Sequence, residues 1–282
     1  MLEVTGIGQL RAWRRARREE GRRVALVPTM GALHEGHLAL VEAARQSADA
    51  VVMSIFVNPL QFGPSEDLAR YPRNIERDRA LARESGVDLL FLPDTETMYP
   101  AGSATRVVPG DLAGRWEGSV RPGHFAGVLT VVAKLFHLAE PDVACFGQKD
   151  IQQFTLIRQM VRDLDWNLRL ERVPIVREKD GLALSSRNVY LSPAERRQAT
   201  SLHAALAAAR DSFDAGEQHA GRLAERVRAT LEVQGGLSAD YIAVVEPEEM
   251  LPIATAAPGT IIAIAVRVGG TRLIDNVILG ED

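Results

Sequence analysis

An α/β fold built on a parallel sheet is predicted by two features of this 282-residue sequence. The first is a series of apolar runs at Val24–Thr29, Ala50–Val57 and Val87–Pro93; a run without polar alternation is typical of a strand that is covered on both faces. The second is that helical patterns separate these runs, which gives the β-α-β-α-β order of parallel sheets. We therefore predict a Rossmann-like parallel sheet with helices on both faces.

The other elements of this first domain follow from local patterns. An arginine-rich segment around Trp13 predicts a surface helix, and helices are predicted between the first three strands at His37–Ala44 and Asn74–Ser85. A stretch with glycine and proline follows at Tyr99–Gly123. The pattern then predicts a helix at Phe125–Glu140 and a strand at Asp142–Phe146. A second helix is predicted at Asp150–Leu164, and short strands near Leu168–Pro174 complete the domain.

A smaller α+β domain is predicted beyond residue 175. Two alanine- and arginine-rich helical stretches, Pro193–Gly216 and His219–Val233, precede two β-patterned runs at Tyr241–Val245 and Thr260–Val268. We therefore predict two domains, residues 1–175 and residues 176–282. The length of the chain agrees with this division, because chains of this size commonly fold around more than one hydrophobic core.

Composition excludes several classes of protein. A net charge of −4 argues against a protein whose main role is to bind nucleic acid, because such binding depends on a basic surface. No apolar stretch approaches the roughly 20 residues needed to cross a bilayer, and no apolar core follows the arginines near the N-terminus, so a cytoplasmic protein without a membrane anchor is expected. The single cysteine, Cys145, has apolar neighbours and is predicted to be a buried, inert thiol that supports neither a disulfide nor a cysteine-based zinc cluster.

The segment His34-Glu35-Gly36-His37 lies where the first strand ends and the next helix begins. The free N–H groups and the dipole of a helix N-terminus favour an anion, and two imidazoles with adjacent glycines suit phosphate. The alternative is a helix-capping histidine beside a solvated one. Zinc is disfavoured, because a metalloprotease-like site needs two histidines one turn apart with a glutamate between them, whereas these histidines are three residues apart, with a glycine beside the second, at a helix start.

A second candidate segment is Lys179–Asn188, which contains a glycine, two hydroxyls, Lys179 and Arg187. This set suits the β- and γ-phosphates of a nucleotide and the pyrophosphate that leaves. The alternative is a plain surface turn before the helix that Ser192 caps. Two of the three lysines of the chain, Lys149 and Lys179, lie in candidate segments, where a compact ammonium suits a triphosphate.

Three further groups are weaker candidates. Phe146-Gly147-Gln148-Lys149-Asp150 ends a strand and opens a helix, so it is either a nucleotide contact or a simple turn. Gln61 and Gln153 are amides suited to a small polar substrate, although an amide on a loop is usually solvated. Arg121-Pro122-Gly123-His124-Phe125 has a structural or a substrate role. The loops after Thr29, Val57 and Phe146 are expected to converge at the carboxyl ends of the strands.

The ordered set of motifs resembles the pantoate–β-alanine ligase family over nearly the whole chain. No single motif is specific for this family, since the His-x-Gly-His element also occurs in class I aminoacyl-tRNA synthetases and nucleotidyltransferases. The full ordered series is specific for it. The motifs are Pro28–His37, Asn58–Phe62, Tyr71–Arg73, Arg121–Phe125, Phe146–Asp150 and Asp180–Asn188.

The resemblance implies a ligase that joins (R)-pantoate to β-alanine through a pantoyl-adenylate, with release of AMP and pyrophosphate, in coenzyme A biosynthesis. It implies catalytic roles for His34, His37, Lys149, Ser185, Ser186 and Arg187. It implies pantoate contacts at Gln61 and Gln153 with Asn58 in support. The implied ATP contacts are Met30, Gly31, Ala32, Leu33, His34, Glu35, Gly36, His37, Gly147, Gln148, Lys149, Asp150, Val176, Leu184, Ser185, Ser186 and Arg187.

The resemblance also implies a homodimer and Mg²⁺ held mostly by phosphate oxygens and water, with no protein ligand identified. Residues 1–175 would bind nucleotide and pantoate, and residues 176–282 would act as a lid that keeps water from the adenylate. Neither a base for the β-alanine amine nor a contact for its carboxylate is evident.

Two rival functions remain open at this point. A nucleotidyltransferase would use the same histidines, but its phosphate acceptor calls for more cationic groups than Gln61 and Gln153 provide. A noncatalytic, synthetase-like RNA-binding protein would need a basic surface rich in aromatic residues, whereas aromatics are 5% of this chain.

Overall fold

The computed structural model describes residues 1–64 and 66–281 of the chain. These residues divide into two compact units. The first unit consists of residues 1–147 and 156–174, and the second of residues 148–155 together with the chain from Ile175 onward. The short segment 148–155 therefore groups with the C-terminal unit, whereas the sequence predicts a single boundary after residue 175.

The first unit contains a sheet of six strands, all parallel to their neighbours. The spatial order is β1-β4-β3-β2-β5-β6. This arrangement confirms the predicted Rossmann-like parallel sheet. The strands are β1 (Leu2–Val4), β2 (Val24–Thr29), β3 (Ala50–Ile55), β4 (Leu89–Phe91), β5 (Val143–Gly147) and β6 (Arg169–Val173).

The apolar runs become strands because both faces of the sheet are covered. Successive residues of β2, such as Leu26 and Val27, are both buried. Helices α2 and α3 pack on one face in a cluster with Val27, Val41 and Ala82, and α6 contacts β2 and α1. The helices are α1 (Ile7–Glu19), α2 (Glu35–Ser47), α3 (Ile75–Glu84), α4 (Thr95–Met98), α5 (Trp116–Val120), α6 (His124–Ala139) and α7 (Ile151–Asp163), of which residues 151–155 belong to the second unit.

Two side chains of the first unit are buried, one against expectation and one as predicted. In α1, the predicted surface helix, Arg14 is buried, and its guanidinium donates to the Glu140 carbonyl at 2.8 Å and to the Asp142 carboxylate at 3.2 Å. Cys145 is fully buried, as predicted, and burial raises the pKa of its thiol to about 12. A thiol held in its protonated form is a poor nucleophile.

The second unit is a smaller α+β structure, as the sequence predicts. Its antiparallel sheet has the order β7-β8-β9, of which β9 was not predicted. The elements after α7 are α8 (Pro193–Ala199), α9 (Ser201–Asp214), α10 (Ala220–Thr230), β7 (Ala239–Val245), β8 (Ile261–Val268) and β9 (Thr271–Ile278). None of the helices in the described part of the chain is both long and apolar enough to cross a membrane.

The helix predicted at Pro193–Gly216 is instead two helices that meet at Thr200. The hydroxyl of Thr200 donates to the Arg197 carbonyl at 2.8 Å, and the hydroxyl of Ser201 donates to the Gln198 carbonyl at 2.7 Å. Side-chain bonds of this kind compete with the helical hydrogen bonds of the backbone. The hydroxyl pair thus explains the interruption.

Candidate active site

The strand order of the first unit reverses between β2 and β5. Strands β3 and β4 extend from one side of β2, and β5 and β6 extend from the other. In open parallel sheets, ligands bind at the carboxyl ends of the strands where this reversal occurs. The segment that begins at Met30 follows β2, and Gly147 ends β5. Two of the predicted nucleotide segments therefore begin at the switch point of the sheet.

A buried carboxylate organises the loop between β2 and α2. Asp78, on α3, is 2% exposed, and its two oxygens accept hydrogen bonds from the backbone N–H groups of Ala32 at 2.9 Å and Leu33 at 2.8 Å. The loop needs this support because Gly31 and Ala32 have φ values of 83° and 51°, a region that is strained for alanine. A Cβ atom on Gly31 would also lie only 3.0 Å from the Asp78 carboxylate.

The two histidines lie at the start of α2. His34 is the residue that precedes the first turn, His37 lies within that turn, and their ring centroids are 4.1 Å apart. The His34 N–H donates to Nδ1 of His37 at 3.3 Å. Because Nδ1 accepts, a neutral His37 carries its proton on Nε2. His34 therefore occupies the capping position of the alternative interpretation, and His37 has a defined donor atom.

Gln61 is buried and not solvated, and its amide is held in one orientation. Asn58, 1% exposed, donates to Gln61 Oε1 at 3.0 Å and to the Gly127 carbonyl at 3.1 Å. The Gln61 amide nitrogen lies 3.0 Å from the Met30 sulfur. The Tyr99 hydroxyl donates to Asn58 Oδ1 at 2.9 Å, and burial raises the pKa of Tyr99 to about 12, which keeps this donor protonated. Gln61 is thus pre-oriented next to Met30.

The motif Arg121–Phe125, for which the sequence leaves two roles open, supports the backbone of Gln61. His124 Nδ1 lies 2.8 Å from the Gln61 carbonyl, and Arg121 donates to the same oxygen at 3.3 Å. Both oxygens of Glu66 accept from Arg121, at 2.8 and 2.6 Å. Burial by itself would raise the pKa of Glu66, but the hydrogen bond and charge of Arg121 outweigh it and lower the pKa.

Burial, with the charge of Arg121, lowers the pKa of His124 to about 4. A neutral ring is what the geometry requires, since Nδ1–H donates to Gln61 while Nε2, 3.1 Å from Arg121, accepts. Protonation would place an Nε2–H against the guanidinium. His124 is therefore a neutral link between Arg121 and Gln61 at neutral pH.

We expect the stability of the protein to fall as the pH drops from 6.5 to about 4. In this window the unfolded chain binds a proton at His124 that the folded protein does not, so the free energy of unfolding falls by up to about 3 kcal/mol. The variant His124→Asn retains a donor near Nδ1 and cannot titrate. Urea unfolding from pH 8 to pH 4 is expected to show a flatter dependence for the variant, and parallel curves for the two proteins would contradict the prediction.

In the second unit, the segment that follows β5 forms a short 3-10 turn, Gln148–Asp150, which leads into α7. Lys149 Nζ lies 3.4 Å from the Asp150 carboxylate, and the Lys149 side chain is 22% exposed. Gln153 lies in the first turn of α7 and is partly buried. The turn therefore presents an ammonium within four residues of the second predicted pantoate contact.

The segment Lys179–Asn188, in the same unit, includes the end of a hairpin. Arg177 pairs with Ala183 in an antiparallel bridge, and the Leu184 N–H donates to the Val176 carbonyl at 3.0 Å. Gly181 turns the chain with φ +90°, and its Cβ position lies 2.4 Å from the His203 ring, so no larger residue fits.

Ser185 follows this hairpin and caps a short 3-10 helix, Ser186–Tyr190. The Ser185 hydroxyl accepts from the Arg187 N–H at 3.3 Å, and Asn188 donates to Glu178 at 3.0 Å and to the Ala183 carbonyl at 3.1 Å. The predicted phosphate residues Ser185, Ser186 and Arg187 therefore lie on a segment whose backbone is held by hydrogen bonds.

The structure collects the predicted residues in two sets. The first unit holds Met30–His37, Gly147, Asn58 and Gln61, and the second holds Gln148–Asp150, Gln153, Val176 and Leu184–Arg187. The sequence missed Asp78 and Tyr99, which lack any local motif because their partners are far away in the chain. Among the described residues, no group of three or more His, Cys, Asp or Glu residues is placed to hold a metal ion.

Comparison with known proteins gives one consistent family. The model of the family described as pantoate-beta-alanine ligase matches residues 3–278. A pantothenate synthetase of Koribacter versatilis is 50% identical over 279 residues, which are 99% of this chain and 96% of that protein.

Solved structures agree. The crystal structure of pantothenate synthetase from Thermus thermophilus has a TM-score of 0.93 and 51% identity, covering 99% of each chain. A pantoate-beta-alanine ligase from Francisella tularensis, described as complexed with beta-gamma ATP and beta-alanine, has a TM-score of 0.79 and 32% identity, covering 99% of this chain and 97% of that one.

Proposed function

This chain belongs to the pantoate–β-alanine ligase family, and from that premise we propose how its residues carry out the reaction. It is a ligase that joins pantoate and β-alanine to form pantothenate. ATP, as its magnesium complex, activates the pantoate carboxylate as a pantoyl-adenylate with release of pyrophosphate. The β-alanine amine then attacks the acyl carbonyl and AMP leaves.

His34 and His37 serve the first step. The pantoate carboxylate is ionised at neutral pH and needs no base, so attack on the α-phosphorus requires positioning and stabilisation of negative charge. The N-terminus of α2 supplies N–H groups and a positive dipole end, and His37 supplies the proton on Nε2. The observation that carries the proposal is that His37, whose donor atom is defined, lies at the start of α2, beyond the loop that follows β2.

Pantoate is bound by the amides of Gln61 and Gln153, with Asn58 in support. The hydrogen bonds of Asn58 and the contact with Met30 support this role for Gln61, because an amide that is already oriented loses little entropy when a substrate binds. Neutral amides suit a hydroxyl and a single carboxylate. A phosphate acceptor would call for cations instead, which disfavours a nucleotidyltransferase.

The second unit supplies the cations and hydroxyls for the rest of the nucleotide. Lys149, Ser185, Ser186 and Arg187 bind the β- and γ-phosphates and then the leaving pyrophosphate, and Val176 contacts adenine. The short helix that Ser185 caps supports this role, since it fixes the backbone on which the serines and Arg187 stand. The role of this unit as a lid remains a prediction.

Three further parts of the proposal rest on family resemblance. The magnesium ion arrives with ATP and is bound mainly by phosphate oxygens and water. The enzyme is a homodimer, which light scattering after size-exclusion chromatography tests directly. It works in the cytoplasm, where its nucleotide substrate is available.

We expect the purified protein to release pyrophosphate from ATP only when D-pantoate is present, and β-alanine to increase this release by consuming the adenylate. A coupled pyrophosphate assay, with AMP measured in parallel, tests both expectations. The reaction with L-pantoate is the matched control. ATP binding without pantoate-dependent turnover would contradict the ligase function and favour transfer of AMP to another acceptor.

A further inference from the structure

Strand β9 carries two adjacent polar residues that are both buried, Asp275 at 2% and Asn276 at 1% exposure. Successive residues of a strand point to opposite faces of the sheet. A buried carboxylate and a buried amide are costly unless they are hydrogen-bonded. Each residue must therefore have a partner on its own face of the sheet.

Asn276 holds the turn that carries Lys149. Its amide nitrogen donates to the carbonyls of Gln148 at 3.0 Å and Lys149 at 3.1 Å, and its amide oxygen lies 3.2 Å from the Gln148 side-chain nitrogen. The side chain of Asn276 thus binds both peptide groups that lead into α7. Within the second unit, the Asn276 side chain therefore helps to hold the backbone of Gln148 and Lys149.

Asp275 holds the hairpin that leads to Ser185. Both of its oxygens accept from the Arg177 guanidinium, at 2.6 and 3.0 Å, and Arg177 also donates to the Gly181 carbonyl at the hairpin turn. The backbone N–H of Asn276 donates to the Asp275 carboxylate at 2.8 Å, which orients it further. A planar, bidentate pair of this kind fixes geometry as well as charge.

We propose that Asp275 and Asn276 are positioning residues that set the spacing between the Lys149 turn and the Ser185–Arg187 segment. This inference rests on the proposed function, in which both segments bind the β- and γ-phosphates of ATP. Because the two residues are neighbours on one strand, a single peptide unit links the two segments. In this proposal each residue acts through the segment that it holds and not by direct contact with the nucleotide.

The chemistry of each side chain is specific. Asn276 must donate, because its partners are carbonyl oxygens, and Asp275 must accept, because its partners are N–H groups. The isosteric variant Asn276→Asp places a carboxylate oxygen against two carbonyl oxygens and so repels the turn. Asp275→Asn removes the charge and places N–H groups against the guanidinium.

The test compares the affinities of full-length variants for ATP and AMP by calorimetry. Since AMP lacks the β- and γ-phosphates, Asn276→Asp is expected to raise the dissociation constant for ATP by at least about tenfold and to leave that for AMP nearly unchanged. Asp275→Asn is expected to weaken ATP binding more than AMP binding, because the segment held by Arg177 carries both Val176, which contacts adenine, and the Ser185–Arg187 residues, whose phosphates AMP lacks. Thr271→Val, on the same strand and 8% exposed, is the matched control and is expected to leave both affinities unchanged.

Each other outcome has a defined meaning. Wild-type affinity for ATP in both variants, or equal losses for ATP and AMP, would overturn the positioning role. Circular dichroism that shows both variants unfolded would make the pair purely structural and would also overturn it. Because binding requires no turnover, a wild type that binds ATP without pantoate-dependent pyrophosphate release refutes the function alone, while a wild type that binds no ATP refutes both.

Discussion

Replacing His37 with alanine is expected to lower the rate of pantoate-dependent pyrophosphate release by about 1000-fold, because it removes a donor that acts where negative charge develops in the transition state. The tautomer of His37 also predicts which substitutions should retain activity. Nδ1 of His37 accepts from the His34 N–H, so the functional proton is on Nε2. His37→Gln places an amide near Nε2 and should retain much more activity than His37→Asn, whose amide lies near Nδ1. Single-turnover assays at saturating ATP and pantoate measure the difference.

The matched control for this series is His219→Ala. His219 also precedes a helix, and its Nδ1 accepts from the Arg222 N–H at 3.3 Å, so the variant loses a comparable capping contact. It is expected to keep full turnover. Equal activity of the glutamine and asparagine variants at position 37 would refute the assignment of the proton to Nε2.

The second large effect is expected at Asp78. The variant Asp78→Asn retains one acceptor but sets its NH₂ group against the second backbone N–H, so the free energy of unfolding should fall by about 2 kcal/mol. Because the loop of Ala32 and Leu33 positions the histidines, the turnover number should also fall by about 100-fold. Chemical denaturation and steady-state assays at a temperature where the variant is fully folded separate the two effects.

Asp142→Asn provides the control for Asp78. The Asp142 carboxylate also accepts two donors, the Val24 N–H at 2.7 Å and Arg14 at 3.2 Å, but at the amino end of β2. We expect this variant to lose stability and to keep its turnover number. If Asp78→Asn also kept the wild-type turnover number, the carboxylate would support the fold and not the geometry of the histidine loop.

The sequence predicts most clearly the central strands of the parallel sheet, whose burial is nearly uniform. Val24–Thr29 and Ala50–Ile55 lie in the middle of the sheet and consist largely of apolar residues, so composition and structure agree. Strand β1 lies at the edge of the sheet, and two of its three residues, Leu2 and Glu3, are exposed, so no buried apolar run marks it. Strand β9 was not predicted because Asp275 and Asn276 interrupt its apolar pattern. Their hydrogen-bond partners, which allow these polar residues to be buried, lie in remote parts of the chain.

Some residues of the candidate site could likewise be predicted from the sequence, and others could not. Motifs with local signals, such as His34 and His37 at a predicted helix start, could be identified from the sequence. Asp78 could not, because it lies in a charged helical segment and its partners, Leu33 and Ala32, are 45 and 46 residues away. For His124 the sequence left a structural and a substrate role open, since its supporting contact is with the Gln61 carbonyl 63 residues earlier. Local sequence patterns can identify residues at the ends of helices and strands. They cannot identify residues whose role depends on a hydrogen bond to a distant part of the chain.

The assignment of residues 148–155 to the second unit limits how this gene can be divided or recombined. A fragment that ends at residue 174 would carry the Gln148 and Lys149 carbonyls without the Asn276 amide, and a fragment that begins at residue 175 would carry Asn276 without those carbonyls. A chimera made with a relative by a single crossover near residue 175 would therefore join a turn from one parent to a β9 strand from the other. The parts that are inherited together span two separate stretches of the sequence, so more than one crossover is needed to exchange them intact.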